Sequence, residues 1–210
     1  MGDEVAVFDV DGTLVQGGTE RLFFYQLVRT KRLNPRQILR FGLRLAADPR
    51  KRFCNKSYLA GMDVAETRRL GDRCFQEMIR PRLRPGGVAC IQSHRSEGRR
   101  IILLTGSLSF LVQPLKKHLG ADWLIATELL RRDRVFTGDL AGLHPRGENK
   151  RLLLEELARR QGLDLSRSFA YGDHEEDIPF LSCVGQPVAV NPTRILKRLA
   201  HQRRWPIRYF

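Results

Sequence analysis

Asp9 and Asp11 stand two positions apart at the end of a short apolar run, in the stretch VAVFDVDGTL. Side chains two positions apart on an extended strand share a face, so both carboxyls address one place. One carboxylate can attack phosphorus and form an aspartyl-phosphate. The second, its pKa raised by a neighbouring anion, can protonate a leaving oxygen and later deprotonate the attacking water. Several anions around an anionic substrate repel it unless a hard divalent cation lies among them. Mg²⁺ suits that role, because it takes oxygen ligands in octahedral geometry at about 2.0–2.1 Å. Asp173, in YGDHEEDIPFL, offers a further oxygen ligand. Lys150, in GENK, can neutralise the excess charge. Thr105, in ILLTGS, can hold phosphate oxygens together with nearby backbone N–H groups.

These residues need elements that bring them to one edge. Val5–Phe8 reads as an apolar strand, and so does Ile101–Leu104, with Thr105-Gly106-Ser107 at its end. Ser168–Tyr171 is a third, closed by Gly172-Asp173. Trp123–Ala126 and Pro187–Val190 are further strands, Trp205–Phe210 a last edge strand, and Glu128–Asp139 a hairpin turning at Asp133. Helical patterns fill the gaps at Val88–Glu97, Phe110–Leu119, Lys150–Gln161, Ile178–Cys183 and Thr193–Gln202. Such alternation implies a parallel sheet with right-handed crossovers. Ligands of open α/β sheets sit beyond the carboxyl ends of the strands, where three of these strands end in Asp9/Asp11, Thr105/Ser107 and Asp173/Asp177. Between Gly17 and Gly86 the texture is helical. Leu22, Phe23, Leu27 and Val28 mark a first helix, and Pro35 opens a second with Ile38, Phe41 and Leu45 on one face. Arg36, Arg40 and Arg44 form another stripe of that helix. Further helical stretches are expected at Cys54–Ala60 and Val64–Ile79.

With these motifs in order, the chain resembles the haloacid dehalogenase superfamily of phosphatases. FDVDGTL resembles its first motif, ILLTGS its second, the lysine of GENK its third and YGDHEEDIPFL its fourth. The helical insertion and the ending VGQPVAVNPTRILKRLAHQRRWPI resemble the phosphoserine-phosphatase-like branch. The resemblance implies an α/β fold, a Rossmann-like doubly wound parallel sheet core with a helical cap domain inserted after the first strand. The core would be residues 1–16 and 87–210, and the cap residues 17–86. It implies a Mg²⁺-dependent phosphomonoester hydrolase with Asp9 as nucleophile and metal ligand. Asp11 would be the acid/base and a metal ligand through its carbonyl, and Asp173 the metal carboxylate. Thr105, Gly106 and Lys150 would bind the phosphate, with Lys150 also steadying Asp9, and Asp177 would support Lys150. Two departures bear on the substrate. His174 and Glu176 replace the smaller or neutral residues common in the fourth motif, and Glu20 falls later than the glutamate that reads an amino group in phosphoserine phosphatases. Asp11 favours phosphomonoesters over halides, since a leaving alkoxide needs a proton.

Length and charge narrow the partners. The 210 residues suffice for a core with a smaller companion domain, and the net charge is +14. Residues 17–86 hold 17 basic and 6 acidic side chains, so the excess lies almost wholly in the insertion. A basic cap over a phosphate site attracts a small phosphate ester, an anionic phospholipid headgroup or a negatively charged membrane. The other class is a basic nucleic-acid- or membrane-binding protein with a degenerate phosphatase core, but no nucleic-acid motif is present. No apolar run reaches the ~18 residues of a membrane span. Neither a leader peptide nor a myristoylation pattern is read at the start, where Asp3, Glu4 and Ala6 stand. Cys54, Cys74, Cys90 and Cys183 are scattered without a C-x-x-C pair, as expected of reduced thiols in the cytoplasm.

Overall fold

The computed structural model describes residues 3–49 and 53–210. Six parallel strands form one sheet in the order β3-β2-β1-β6-β7-β8. They are β1 (Val5–Phe8), β2 (Arg100–Leu108), β3 (Trp123–Thr127), β6 (Phe169–Gly172), β7 (Gln186–Val190) and β8 (Ile207–Arg208). The antiparallel pair β4 (Leu129–Arg132) and β5 (Val135–Leu140) stands apart as a hairpin turning through Asp133, a residue with positive φ. β1 is central and buried on both faces, which is why its sequence is uninterrupted apolar.

Alternate side chains feed two cores. Ala6, Phe8, Ile101 and Leu103 pack against α1 (Thr19–Arg29), α3 (Val64–Cys74), α4 (Pro85–Ser96) and α5 (Ser109–Leu119). Val5, Val7, Ile102 and Leu104 face α6 (Glu148–Gln161), α7 (Ile178–Leu181) and α8 (Arg194–Arg203). Helices on both sides make the sheet doubly wound, as the expected α/β class requires. Phe8 and Tyr171, partners in register across β1 and β6, stack at 4.4 Å between ring centres.

The segment between β1 and β2 holds α1, α2 (Pro35–Ala47), α3 and α4. Phe23 of α1 meets Phe110 of α5 edge-on at 5.4 Å. α2 starts with Asn34 as a capping-box residue and Pro35 in its first turn, and none of its residues is fully buried. Its inner side rests on a 3₁₀ turn, Ser57–Leu59, through the ring cluster Phe24, Phe41 and Tyr58.

Several boundaries differ from the sequence expectation. Cys54–Ala60 is not a helix: Asn55 hydrogen-bonds Ser57 through its side chain and leaves only the 3₁₀ turn. Val64–Ile79 changes at Phe75 into one π-helical turn, followed by a 3₁₀ turn at Arg80–Arg82. α4 begins at Pro85, whose fixed φ fits a first turn. The last strand shrinks to Ile207–Arg208. Thr105-Gly106-Ser107 lies within β2, which extends to Leu108. Arg50, Lys51 and Arg52 of the basic insertion lie outside the described residues. Among the described residues no helix is long and apolar enough to cross a membrane.

Candidate active site

Site residues gather at the carboxyl edge of β2, β1 and β6, three adjacent strands. They line a cleft of about 590 Å³, to which Asp9, Asp11, Gly106, Lys150, Asp173 and Asp177 all contribute. Asp9 follows β1 directly, and its N–H donates to Tyr171 O at 2.9 Å, so the nucleophile candidate is fixed to β6 as well. Lys150, in the first turn of α6, donates from Nζ to Asp9 Oδ1 and to Asp177 Oδ1, both at 2.6 Å. All three are at least 95 % buried. Burial opposes the Lys150 charge, but the Asp177 and Asp9 carboxylates outweigh it and hold the ammonium above its ordinary range. Burial pushes Asp9 well up, aided by Asp177, Asp173 and Asp11, with Lys150 pulling the other way.

Asp173 is held by Thr13, whose hydroxyl donates to Oδ1 at 3.1 Å. Burial, and then Asp177, raise its pKa to about 6. Gly12 makes the approach possible. Its φ is +94°, and a Cβ there would fall 2.2 Å from Asp173 Oδ2. Carboxylate oxygens of Asp9, Asp173 and Asp177 lie within 4.8 Å of one another. Such an all-oxygen set, in which burial first and neighbouring carboxylates next push Asp9 and Asp173 up, fits a hard divalent cation. Asp177 is the least free of the three, because Oδ2 also accepts from the N–H groups of Asp173 (3.1 Å) and His174 (3.2 Å).

Asp11 lines the same cleft, but its carboxylate has other partners. Oδ1 accepts from the Thr19 N–H at 2.6 Å, at the start of α1. Oδ2 accepts from the hydroxyls of Thr105 (3.0 Å) and Ser107 (2.6 Å). Thr105 is fully buried, and its Oγ1 also takes the Ser107 N–H, so its hydroxyl is turned to Asp11. Gly106 and Ser107 are the parts of that motif that reach the cleft.

Further residues line the cleft, and of these Phe53, Lys56, His144 and Arg146 lie outside the motifs. Glu20 accepts from Lys56 Nζ at 2.5 Å and from Tyr58 Oη at 2.8 Å. Arg146 pairs with Glu176 and lies over the Phe53 ring. His174 accepts the Glu176 N–H on Nδ1, at 3.3 Å, as a loop side chain. His144 stands over Gly106. Thr127 Oγ1 donates to Gly106 O at 2.6 Å and is 2.8 Å from His144 Nδ1. With the Thr127 proton committed to the carbonyl, Nδ1 must carry the hydrogen and Nε2 is a bare acceptor. Burial, then Lys56, Arg146 and Lys150, lower the His144 pKa to about 4, which keeps the ring neutral. Only the closeness of His144 to the GENK motif in sequence could have drawn attention to it.

Comparisons with known proteins agree with this architecture. A family profile described as haloacid dehalogenase-like hydrolase matches residues 6–182. Phosphoserine phosphatase SerB1 of Mycobacterium tuberculosis is 33% identical over 98% of this chain and 70% of its own length. The "inhibition of morphological differentiation protein" of Streptomyces azureus is 32% identical over 96% of this chain and 76% of its own. A solved structure of a protein of unknown function from Bordetella pertussis aligns with a TM-score of 0.86 at 27% identity, covering 99% of this chain and 98% of that one.

Proposed function

The chain belongs to the haloacid dehalogenase-like hydrolase family and is a phosphatase of its phosphoserine-phosphatase-like branch, and we propose that it hydrolyses a small phosphomonoester with Mg²⁺ through an aspartyl-phosphate on Asp9. The observation that carries this reading is Lys150, buried between Asp9 and Asp177 beside the Asp173 carboxylate. Asp9 Oδ1 is taken by Lys150, and the other oxygen has no hydrogen-bond donor among the described residues. That oxygen attacks phosphorus as the ester bond to the alcohol breaks. The leaving oxygen takes a proton from Asp11. Asp11 then removes a proton from water, whose oxygen attacks phosphorus and frees Asp9 and inorganic phosphate. For this exchange Asp11 releases one of its donors, the Thr19 N–H at Oδ1 or the Thr105 and Ser107 hydroxyls at Oδ2. Asp9, Asp173 and the Asp11 carbonyl would hold Mg²⁺, which when bound neutralises the gathered anions and the phosphoryl oxygens. Lys150 steadies Asp9 and favours its charge, and the Gly106 backbone together with Lys150 receives phosphate oxygens.

Segment 17–86 acts as the cap in this reading, since Glu20, Arg21, Phe53 and Lys56 line the cleft from it. Glu20 already serves Lys56 and Tyr58, which argues against a free carboxylate for a substrate ammonium group. The four cysteines are all unpaired, which supports a reducing, cytoplasmic setting. The test is turnover of p-nitrophenyl phosphate. We expect activity that needs Mg²⁺, stops with chelator and is lost in a folded Asp9→Asn protein. Wild-type turnover in that variant, or full activity in chelator, would refute the mechanism.

A further inference from the structure

α2 presents a face that the core does not explain. Phe41 and Leu45 turn partly inward, whereas Leu39 is 63% exposed and Leu43, one turn on, 62%. Ile38 of α2 and Tyr25 and Val28 of α1 are exposed nearby in the sequence. Five of the eleven exposed large apolar side chains among the described residues therefore fall on these two helices. Isolated exposed leucines are ordinary, but Leu39 and Leu43, stacked one turn apart on the outer side of α2, mark a surface that meets something.

The same face is basic. Leu39 and Leu43 each follow an arginine by three positions, Arg36 and Arg40, so the pairs are neighbours on the helix surface. Arg36 and Arg40 form no ion pair among the described residues, and Arg44 has one exposed pairing with Asp139. No acidic residue occurs from Arg21 to Ala47. Leucines projecting among unpaired arginines form the pattern of a helix that lies in a membrane interface. A second copy of the chain fits poorly, because a two-fold contact would set the same arginines against each other. Nucleic acid answers the charge but gives the leucines nothing to enter.

The opposite, inner side of α2 is tied to residues that support the cleft wall. Phe41, on the inner side of α2, meets the Tyr58 ring edge-on at 5.5 Å, and Tyr58 donates to Glu20 in the cleft wall. Gln37 donates to Ala60 O at 3.0 Å, and Asn55 to Phe41 O at 3.2 Å, so α2 and that wall are joined by hydrogen bonds. We propose that the outer face of α2 docks on an anionic lipid surface and presents phosphomonoester headgroups in it to the cleft. Docking stands on the surface alone; the headgroup substrate rests on the phosphatase reading.

Sedimentation with phosphatidylcholine vesicles, alone or mixed with phosphatidylglycerol, separates the two parts because it does not use turnover. At low ionic strength the wild type sediments with the mixed vesicles and not with phosphatidylcholine alone. Each arginine near such a surface strengthens binding about fivefold, so R36Q/R40Q/R44Q weakens it about a hundredfold. L39Q/L43Q, with substitutions only at exposed positions, weakens it at least about tenfold at unchanged charge. Absence of vesicle binding by the wild type overturns the proposal. Equal binding by L39Q/L43Q, or a wild-type dimer in sedimentation velocity that L39Q/L43Q abolishes, overturns it too. The headgroup part is read from phosphatidic acid in vesicles against p-nitrophenyl phosphate in solution. The ratio of the two turnovers falls at least about tenfold in L39Q/L43Q, and an unchanged ratio overturns that part. Vesicle binding with no turnover of either ester would refute the phosphatase reading and leave docking standing.

Discussion

Replacing Lys150 by methionine tests the buried charge balance most directly. The ammonium lies 2.6 Å from both Asp9 and Asp177 and is 5% exposed. Methionine fills much of the same volume but leaves two buried carboxylates facing each other, with Asp173 close by. Asp177 keeps two backbone donors, whereas Asp9 loses its side-chain donor. Breaking a buried pair in this way costs about 3–5 kcal/mol, a large share of the ~5–15 kcal/mol that holds a typical domain folded. The chain can relieve the repulsion by binding a proton, and burial already displaces Asp9 towards doing so. A protonated Asp9 is no nucleophile, so turnover falls by roughly 10²–10⁴, the rate equivalent of the same energy. Urea unfolding in chelator gives the stability loss, and p-nitrophenyl phosphate turnover with Mg²⁺ gives the rate. Lys150→Met combined with Asp177→Asn removes one carboxylate and recovers part of the stability, with no recovery of rate. A single variant within about 1 kcal/mol and tenfold of the wild type would refute the reasoning, as would a double variant no more stable than the single.

Two buried histidines give the remaining predictions. Arg99 donates to His94 Nδ1, so Nε2 carries the hydrogen and meets Tyr171 Oη at 2.7 Å; burial, then Arg99, lower the His94 pKa to about 4. The unfolded chain takes up this proton near pH 6.5 and the folded one only near 4. Stability therefore falls as pH drops below 6.5, by about 2 kcal/mol at pH 5, and His94→Asn should shrink the pH 7.5 to pH 5 difference by that amount in urea unfolding. A variant with the wild-type difference would show that His94 is not the group responsible. At His144 the bare Nε2 is suited to accept a hydrogen bond from a hydroxyl on the leaving alcohol. His144→Phe should lower kcat/KM for glycerol 3-phosphate about fivefold relative to propyl phosphate, the worth of one neutral hydrogen bond. An unchanged ratio would exclude that contact.

The carboxylates were legible in the sequence because strand ends carry them. Each lies beside an apolar run or a Gly-Asp pair, and sheet topology then brings β1, β2 and β6 together. The direction of Asp11 was less legible, since strand alternation places it at the cleft but not its bonds to Thr19, Thr105 and Ser107. Lys56, Tyr58, His144 and Arg146 carry no local signal. Their roles come from contacts across the fold, such as Lys56 with Glu20, thirty-six positions away. Helical periodicity found the half-buried Phe41 and Leu45, but it assigned Ile38 to the same face and did not single out Leu39 and Leu43. A helix that buries no residue fully gives the pattern no sharp inner side.

The order of strands has a consequence for assembly. β1 pairs with β2 across about ninety-five positions and with β6 across about one hundred and sixty. Parallel pairings this distant in sequence form slowly, since long loops must close before contacts reward them. Asp9 can meet Asp173 only after β6 has docked beside β1. During synthesis, a chain that has folded only as far as β2 and α5 holds Asp9 and Asp11 but neither Lys150 nor the third carboxylate. The lysine and the distant carboxylates thus join Asp9 only when the sheet is almost complete, and the finished site is itself a mark of the finished fold.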